Sequence, residues 1–437
     1  MLGKIGIRRE DKNQWERRAP LAPSHVAQLV NSGVEIKIQP SRIRIFSDAE
    51  YQRSGASVSE DLSDCGLVLA IKEVPAKYFR PELAYLFFAH VSKGQPYNMG
   101  MLRRILKLRA TLLDYEHIVD RENRRLVYFG NHAGAAGLFE TLCAAGKRLE
   151  WEGHPTPLLS LDRPLNFSSL DAGRTLLVET AARIAREGVG QALAPFVVGF
   201  AGYGNVSRGA QEFFDLLPHE EIAPGRLHAF MAAGNFSDKK LYKVVFKEED
   251  IADSIDPAES FDLDDYYRHP ERYRGIFEQY LPHLTVLINC IYWEKSYPRL
   301  VAKAWLQSEW DKPVQPRLRV IGDITCDIEG SIECTVKAAG PGKPVYTYIP
   351  SSGGVLDGWE GAGVVVMAVD TLPAEVPREA SLSFGDMLAP HIGILAATDF
   401  RRPVEELAMG AALKNAIIVH RGALTERYQY LAAYLDK

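Results

Sequence analysis

The stretch that decides the fold is VVGFAGYGNVSRGAQEFF, residues 197–214. It begins as an apolar run of strand length, turns at Gly202 and Gly204, and continues with the apolar spacing of a helix. Glycines at such a turn let the backbone bend sharply and approach a pyrophosphate, whose charge is met by the first amides of the helix. The pattern predicts a dinucleotide site at five residues: Gly202, Gly204, Asn205, Val206 and Ser207. Because a strict GxGxxG motif requires glycine where Ser207 stands, an ordinary strand-to-helix turn remains the alternative.

The sequence on both sides of this turn alternates between strand-like and helical patterns. Upstream, strands are predicted at 3–7, 34–39 and 67–71, with a helix at 23–32. Downstream, strands are predicted at 285–291 and 319–324, and both end in the small or polar residues typical of a ligand-binding edge. The candidate cofactor-binding residues at these two ends are Asn289, Cys290, Ile291, Asp323 and Asp327. The alternation predicts an α/β protein with two Rossmann-like domains and parallel sheets.

The length of the chain indicates its domain organisation. A chain of 437 residues exceeds the roughly 100–200 residues of one ordinary domain, so two domains are expected. We predict a substrate domain from residues 1–150 and 345–437, with a dinucleotide-binding domain, 151–344, inserted between them. The segment 236–280 is polar, acidic and rich in tyrosine, unlike a core strand or helix, and we interpret it as an insertion that can serve as a lid.

Composition and charge exclude several classes of protein. Hydrophobic residues make up 46% and charged residues 24% of the chain, which is typical of a globular protein. The formal net charge of -5 is spread without long runs, so no basic surface for nucleic acid or an anionic membrane is expected. No apolar stretch approaches the ~18–20 residues of a spanning helix, and the charged N-terminus is unlike a signal peptide, so we predict a cytoplasmic protein. The five cysteines are scattered without a CxxC pair, and neither a disulfide framework nor a metal site is expected.

The choice between NAD(H) and NADP(H) depends on the residue that meets the ribose 2′-hydroxyl. That residue is usually an acid ~20 residues beyond the glycine turn, at the end of the next strand. Glu220 and Glu221 lie at that distance, but the predicted strand runs through them and ends at Ala223 and Pro224. Without a carboxylate at the strand's end, the sequence favours NADP(H), with Arg226 as partner of the 2′-phosphate, and leaves NAD(H) open.

Blocks of sequence along nearly the whole chain resemble one family of enzymes. In family order they are RREDKNQWERRAPLAP (8–23), VLAIKEVP (68–75), FFAHVSKGQ (87–95), LLDYEHIVD (112–120), FGNHAGAAG (129–137), GYGNVSRGAQ (202–211), INCIYWE (288–294), GDITCDIEGSIE (322–333) and TLPAEVPREASLSFGDML (371–388). Together they resemble the lysine-ketoglutarate reductase, or lysine-forming saccharopine dehydrogenase, branch of the alanine dehydrogenase family. The resemblance implies that L-lysine condenses with 2-oxoglutarate and that NAD(P)H reduces the imine to saccharopine.

This chemistry needs a proton shuttle that faces the reacting carbon. The resemblance places the shuttle at Lys72 and His90, with Glu73 and Glu116 as carboxylates that tune the pair. The residues agree, because Lys72 follows an apolar strand, where partial burial lowers a lysine pKa, and His90 ends the apolar run AYLFFAH. Taken singly, a lysine at a strand end is usually solvated and a lone histidine is usually structural.

The adduct of lysine and 2-oxoglutarate carries three carboxylates, so its pocket needs cations. The resemblance implies that Arg18, Lys93 and Arg125 bind them, and that Phe129 packs near the nicotinamide or the substrate. Arg17 and Arg124 are adjacent alternatives, and an ordinary core aromatic is the alternative for Phe129.

Two other functions remain open at this stage. One is an imine-reducing or amino-acid dehydrogenase that acts on a different amine, and the other is a non-catalytic NAD(P)-binding relative. The partners expected in each case are small molecules, and a homo-oligomer remains open.

Overall fold

The computed structural model describes residues 3–435, in two compact units. The terminal unit comprises Met1–Phe129 and Pro377–Lys437, and the central unit comprises Gly130–Val376. The central unit is therefore inserted in the terminal unit along the chain. The predicted domain boundaries, after residues 150 and 344, differ from these by more than twenty residues at each end.

Strands and helices alternate along the chain. The strands are β1 (Lys4–Ile7), β2 (Glu35–Ile38), β3 (Ser57–Val58), β4 (Leu67–Leu69), β5 (Ala84–Phe87), β6 (Thr111–Asp114), β7 (Val197–Ala201), β8 (His219–Glu221), β9 (Leu241–Phe246), β10 (Ala252–Ser254), β11 (Tyr273–Gly275), β12 (Val286–Asn289), β13 (Val320–Asp323), β14 (Val345–Ile349), β15 (Gly354–Asp357), β16 (Val364–Met367), β17 (Ile417–His420) and β18 (Ala423–Leu424). The α-helices are α1 (Pro23–Asn31), α2 (Asp48–Arg53), α3 (Pro96–Lys107), α4 (Gly130–Trp151), α5 (Leu170–Glu187), α6 (Asn205–Phe214), α7 (Pro224–Ala233), α8 (Glu248–Ile251), α9 (Leu263–Arg268), α10 (Lys303–Trp310), α11 (Pro377–Ala397), α12 (Ala411–Asn415) and α13 (Ala432–Leu435). The predicted strands at 3–7, 34–39, 67–71, 285–291 and 319–324 correspond to β1, β2, β4, β12 and β13, each somewhat shorter than predicted.

The terminal unit is built on one eight-stranded sheet in the order β18-β17-β6-β5-β4-β1-β2-β3. The pairs from β6 through β3 are parallel, and β17 and β18 add an antiparallel edge. Strands β4, β5 and β6 are buried along their whole length, as parallel strands covered on both faces must be. Their carboxyl ends therefore share one edge of the sheet, which is where polar residues can be presented to a ligand.

The central unit contains a second eight-stranded sheet in the order β15-β14-β16-β13-β12-β7-β9-β8. Alternate residues of β7 belong to different cores, with Val198 and Phe200 facing one side and Val197 and Ala201 the other. Within this sheet β14 pairs antiparallel with both β15 and β16, and the pairs from β16 through β8 are parallel. The two mostly parallel sheets with helices confirm the predicted α/β class.

The position of β9 corrects two predictions made from the sequence. Residues 241–246 lay within the proposed insertion, but they form a buried strand paired in parallel with β7 along its whole length. Strand β8, from whose position in the sequence the ribose-binding residue was sought, lies at the edge of the sheet outside β9. The prediction failed because the short, mostly apolar run LYKVVF lies within a longer polar segment. The composition of the whole segment therefore concealed the strand.

The remainder of the predicted insertion is compact. Strands β10 and β11 form an antiparallel ribbon, and α9 packs nearby through a small cluster of Ala252, Tyr266 and Tyr273. Its role as a lid stays a prediction.

The unit boundaries follow from which core each element completes. Helix α4 packs on α6 and β13, so the chain enters the central unit at Gly130 rather than after the helix. Strands β14 and β16 extend the same sheet from β13, which keeps the chain there until Val376. The boundaries predicted from composition differ from these because composition shows neither the packing of α4 nor the pairing of β14 and β16.

The close packing of α4 on α6 depends on glycines that face each other. A Cβ atom on Gly134 would lie 1.9 Å from the carbonyl oxygen of Val206, and one on Gly209 would lie 2.1 Å from that of Asn131. Real Cβ atoms do not approach so closely, so only glycine permits this helix spacing. Gly209 therefore permits the close packing of α6 on α4. The third glycine of a dinucleotide-binding fingerprint likewise permits close packing of its helix.

Helix α11 is the one helix among residues 3–435 that is long and apolar enough, by length and composition, to cross a membrane. No such stretch is predicted from the sequence. In the terminal unit its Phe384, Leu388 and Ile392 side chains are fully buried in the core, which is the arrangement of an internal helix.

Candidate active site

Lys72 lies in the terminal unit, just beyond the carboxyl end of β4. Its side chain is partly buried, and burial lowers the pKa of its ammonium, assisted by the positive charges of Arg18 and Lys12. Among residues 3–435 the ammonium forms no ion pair or hydrogen bond that would hold it in the charged form. Lys72 is thus a partly desolvated amine available for proton transfer.

Glu73 and His90 form a hydrogen-bonded pair beside Lys72 in the sequence. His90 Nδ1 lies 2.6 Å from Glu73 Oε1, and Lys12 Nζ lies 2.9 Å from Glu73 Oε2. Burial acts to raise the pKa of Glu73, but its bonds to His90 and Lys12 outweigh burial and hold the pKa well below its usual range. The ionised carboxylate accepts from Nδ1–H, which leaves Nε2 of the ring for a substrate.

His90 adopts an uncommon backbone conformation at the end of β5. Its φ of 48° lies in the left-handed region, which non-glycine residues rarely occupy. The Asn98 amide on α3 donates to the carbonyl oxygens of Ala89 and His90, at 3.1 Å each, and stabilises this turn. Strain of this kind collects at functional sites, where neighbouring contacts hold it in place.

Two buried glutamates from the segment after β1 support Lys72. Glu10 accepts hydrogen bonds from the backbone amides of Ile71 and Lys72, at 2.7 and 3.1 Å. Burial, with the charge of Glu16, raises the pKa of Glu10 to about 7. Burial also acts on Glu16, but the Arg18 guanidinium outweighs it and the net pKa of Glu16 is lowered, with a smaller contribution from Lys72.

Arg18, predicted to bind a substrate carboxylate, is already engaged inside the terminal unit. Its Nε and Nη2 atoms donate to the two carboxylate oxygens of Glu16, at 2.8 and 2.6 Å. The guanidinium also lies over the Phe129 ring, 4.4 Å from its centroid. Phe129 in turn stacks on Phe384 with a centroid distance of 4.4 Å. Arg18 and Phe129 are therefore neighbours, as the prediction of one substrate pocket requires.

Glu116 and Arg125 form a second ion pair, 2.9 Å long. The backbone amide of Glu116 donates to the buried carboxylate of Asp114, which also accepts from the Ala89 amide. Burial raises the pKa of Asp114 to about 7, and the charge of Glu116 adds to this shift. The Asp114 carboxylate thus ties the turn that carries His90 to the turn that carries Glu116.

The other predicted residues of this unit are more exposed. Lys93 lies in the exposed turn before α3, and Arg124 pairs with Asp120 at 2.7 Å. Arg17 donates to the carbonyl oxygen of Ile43, at 3.2 Å. Over residues 3–435 no cluster of His, Cys, Asp or Glu has the geometry to hold a metal ion.

The glycine turn of the central unit borders a cavity of about 360 Å³. Gly202 and Gly204 line it together with Cys290 and Ile291 beyond the end of β12. Gly202 has a φ of 93°, which glycine adopts freely, and a Cβ on Gly204 would meet nothing within 4 Å. Open space over Gly204 at the start of α6 is the room that a pyrophosphate needs, so these residues fit a dinucleotide.

The rest of the cavity wall is rich in aromatic side chains. They are Tyr203, Tyr266, Tyr267, Tyr292, Trp293 and Tyr297. Asn205 and Val206 begin α6, whereas Ser207 is fully buried and accepts from the Gln211 amide at 2.9 Å.

Asn289 and Asp323 belong to a buried network beneath this edge of the sheet. The Asn289 amide donates to Asp323 at 2.8 Å, and the hydroxyls of Thr325 and Thr335 donate to the same carboxylate. Burial raises the pKa of Asp323 even so. The network holds the ends of β12 and β13 together, which positions the neighbouring Cys290 and Ile291.

Three predicted residues lie away from the cavity wall. Arg226 is exposed on α7, which follows the edge strand β8. Glu220 on β8 pairs with Lys240, and Asp327 lies in the turn after β13. None of the three lines the cavity at the glycine turn.

Several residues of these sites were not predicted from the sequence. Glu10, Lys12 and Glu16 lie in the charged segment directly after β1, and a cluster of charges at the end of a parallel strand is a usable indication of a site. Glu248, which lines the cavity, was missed because β9 was not recognised as a strand.

Residues 6–136 match the model of the alanine dehydrogenase/PNT N-terminal domain. Over 98% of its length the chain is 42% identical to alpha-aminoadipic semialdehyde synthase of Arabidopsis thaliana and 34% identical to the mitochondrial protein of that name from Bos taurus. It covers 41% and 47% of those two proteins, so it spans less than half of their length. It is also 25% identical to a lysine-forming, NAD(+) saccharopine dehydrogenase of Emericella nidulans, covering 89% of this chain and 91% of that one.

Two solved structures share the fold. A structure titled L-alanine dehydrogenase superposes with a TM-score of 0.63 at 18% identity and covers 99% of both chains. A transhydrogenase from Sinorhizobium meliloti superposes with a TM-score of 0.55 at 16% identity, covering 96% of this chain and 98% of that one. Residues 6–136 therefore carry an alanine dehydrogenase/PNT N-terminal domain, and the chain as a whole has the fold of these two solved structures.

Proposed function

We propose that this chain catalyses the NAD(P)H-dependent condensation of L-lysine with 2-oxoglutarate to saccharopine, in either direction. The observation that carries the proposal is the partly buried Lys72, whose ammonium pairs with no acid among residues 3–435, directly before Glu73 and its hydrogen bond to His90. Imine formation and reduction require groups that accept and donate protons at the reacting carbon. The similarity of the whole chain to proteins with lysine-related names supports the choice of substrate.

The proposed roles follow from the contacts. Lys72, with its lowered pKa, takes the proton released when the substrate amine attacks the 2-oxo carbon, and returns one to the departing hydroxyl. His90 Nε2 acts as the second acid–base group, with its ring oriented through Nδ1 by Glu73. When bound, the dinucleotide supplies the hydride that reduces the imine carbon. Glu116 is proposed to tune the charge of this site through its contact with Arg125.

The proposed substrate-binding residues are Arg18, Lys93, Arg125 and Phe129. Because Arg18 is engaged with Glu16, we propose that it acts in part by holding Glu16 near Lys72. The proposed cofactor-binding residues are those at the glycine turn and at the ends of β12 and β13. A nicotinamide dinucleotide is the cofactor, and the sequence-based preference for NADP(H) depends on Arg226.

We further propose a cytoplasmic location and small-molecule partners only, although the bovine relative is named mitochondrial. A homo-oligomer remains open.

The test is a substrate panel with the purified chain. L-lysine, ornithine, alanine and ammonia are each offered with 2-oxoglutarate and with NADH or NADPH, and dihydronicotinamide absorbance is followed. Turnover with lysine and formation of saccharopine, identified by mass spectrometry, support the proposal. Turnover with another amine and none with lysine contradicts it and favours a related imine-reducing dehydrogenase. Tight dinucleotide binding without turnover of any pair favours a non-catalytic relative.

A further inference from the structure

An acidic residue lies just beyond the strand that neighbours the glycine turn, although the order of strands along the chain does not reveal it. Ala201, the last residue of β7, pairs with Phe246, the last residue of β9, and the Gly202 amide donates to the Phe246 carbonyl oxygen at 2.9 Å. Glu248 follows two residues later, as the first residue of α8. The carboxyl ends of β7 and β9 therefore lie at the same edge of the sheet. Glu248 lines the same cavity as Gly202 and Gly204.

The position of Glu248 has a direct chemical meaning. When a pyrophosphate sits at the glycine turn of such a fold, the adenine ribose lies against the end of the neighbouring strand. A carboxylate there accepts hydrogen bonds from ribose hydroxyls, whereas it repels the two negative charges of a 2′-phosphate. The residue at the end of β9 can thus distinguish NAD(H) from NADP(H).

The other residues of the cavity wall also favour NAD(H), because none of them could bind a 2′-phosphate through a positive charge. Within the described chain, Glu248 is the one charged side chain among the residues that line this cavity, and the others are glycine, aliphatic, aromatic, proline or cysteine residues. A bound 2′-phosphate needs arginine or lysine, as phosphate sites generally do. Lys247 is exposed and does not line the cavity, and Arg226 follows the edge strand β8 instead.

One hydrogen bond holds the Glu248 carboxylate in place and leaves further acceptor positions for a ligand. The Tyr267 hydroxyl donates to its Oε1 at 2.7 Å. A carboxylate has about four acceptor positions, so one bond from a tyrosine leaves room for two ribose hydroxyls. Tyr203, the residue between the two glycines, lies close enough to interact with the same side chain.

We propose that Glu248 binds the adenine ribose of the cofactor and makes this chain select NAD(H) over NADP(H). The proposal rests on the proposed function only in requiring that a nicotinamide dinucleotide binds at the glycine turn. It replaces the preference for NADP(H) that was based on Arg226.

The experiment measures dissociation constants of NADH and NADPH by fluorescence titration of the dihydronicotinamide, without any amine or oxo acid. The proteins are the wild type, Glu248→Ser, the isosteric Glu248→Gln, and the control Glu249→Gln, which alters the exposed acid next to it. The wild type is expected to bind NADH at least about tenfold more tightly than NADPH, since a hydrogen bond to a charged group typically contributes that much. Both Glu248 variants should lose most of this ratio, and Glu249→Gln should keep it.

Each outcome bears on the proposal separately from the activity. Equal or tighter NADPH binding by the wild type overturns it, as does an unchanged ratio in both Glu248 variants. If NADH is preferred through Glu248 but lysine is not turned over, the proposed reaction fails and this inference stands. If lysine is turned over with NADPH preferred, this inference fails alone. If neither dinucleotide binds, both fail.

Discussion

His90 Nδ1 lies 2.6 Å from Glu73 Oε1, while the other oxygen of the same carboxylate receives Lys12 at 2.9 Å. One carboxylate thus joins a histidine at the end of β5 to a lysine in the segment after β1. Because Glu73 directly follows Lys72 in the chain, any change in this pair also alters the charge around the proposed proton donor.

Replacement of Lys72 by methionine tests the proton shuttle. Lys72→Met keeps the length of the side chain but removes the amine, so turnover should fall by about 100-fold to 10,000-fold, the usual contribution of a general acid or base. NADH binding, measured by fluorescence, should be unchanged because the glycine turn belongs to the other unit. The matched control is Lys77→Met, an exposed lysine soon after β4, which should retain wild-type turnover. Equal losses in both variants would argue against a specific role for Lys72.

Replacement of Glu73 by glutamine tests the pair with His90, through the dependence of stability on pH. The folded state holds the pKa of Glu73 below its ordinary value of 4.5, so the unfolded chain binds more protons as the pH falls. Its stabilisation is therefore fully present above about pH 4.5 and is lost as the pH falls below that value. Urea unfolding measured between about pH 3 and about pH 7 should show the wild type losing stability relative to Glu73→Gln only at the acidic end. A constant difference across the range would refute the pairing.

Glu10 should show the opposite dependence on pH. Its pKa is raised from 4.5 to about 7 in the folded state, so the folded chain binds more protons between these values. The wild type should therefore lose stability relative to Glu10→Gln as the pH rises from about 4.5 to about 7, by at most about 3 kcal/mol. The measurement is urea unfolding followed by tryptophan fluorescence. The slope with pH is decisive here, because the amide also changes the bonds to the Ile71 and Lys72 amides at every pH.

The contact of α4 with α6 can be tested with one methyl group. Gly134→Ala places a Cβ 1.9 Å from the Val206 carbonyl oxygen, so the helices must separate, at a cost of about 1–3 kcal/mol. Gly225→Ala is the control, because a Cβ there meets nothing within 4 Å. Thermal unfolding should show a transition lowered by several degrees for the first variant and an unchanged or slightly raised one for the second, since alanine favours a helix over glycine. Retention of the wild-type midpoint by Gly134→Ala would contradict the packing described.

Much of the fold could be predicted from the sequence, because buried parallel strands are short apolar runs that any reader can find. The run that became β7 is followed by Gly202, and the runs that became β12 and β13 end in Asn289 and Asp323. Their order along the chain indicated the sheet. Strand order was harder, since no local pattern states which strand lies beside which. After β7 the chain first forms the edge strand β8 and only then β9, the neighbour of β7. A search for the ribose-binding acid by counting residues from the glycine turn therefore led to Glu220 and Glu221.

The candidate active site was predictable to a similar degree. The resemblance implied Lys72 and His90 as the proton shuttle, with Glu73 and Glu116 as tuning carboxylates, and these roles stay predictions. The structure adds the hydrogen bond between His90 and Glu73. The partners of Arg18 were not foreseeable, because a buried ion pair with Glu16 depends on a turn of the chain within one charged segment. The burial of an acid such as Glu10 could not be predicted, because in the sequence it is indistinguishable from a charged residue on the surface.

The detour of the chain through β8 has an evolutionary consequence. The edge strand and α7 separate the glycine turn from Glu248 along the chain, but all three residues Gly202, Gly204 and Glu248 line one cavity. We therefore expect that this excursion can be lengthened, shortened or exchanged while the proposed nucleotide contact is kept. Relatives compared by residue spacing alone would then seem to have lost their ribose acid, whereas an alignment anchored on the inner strand would find it in place.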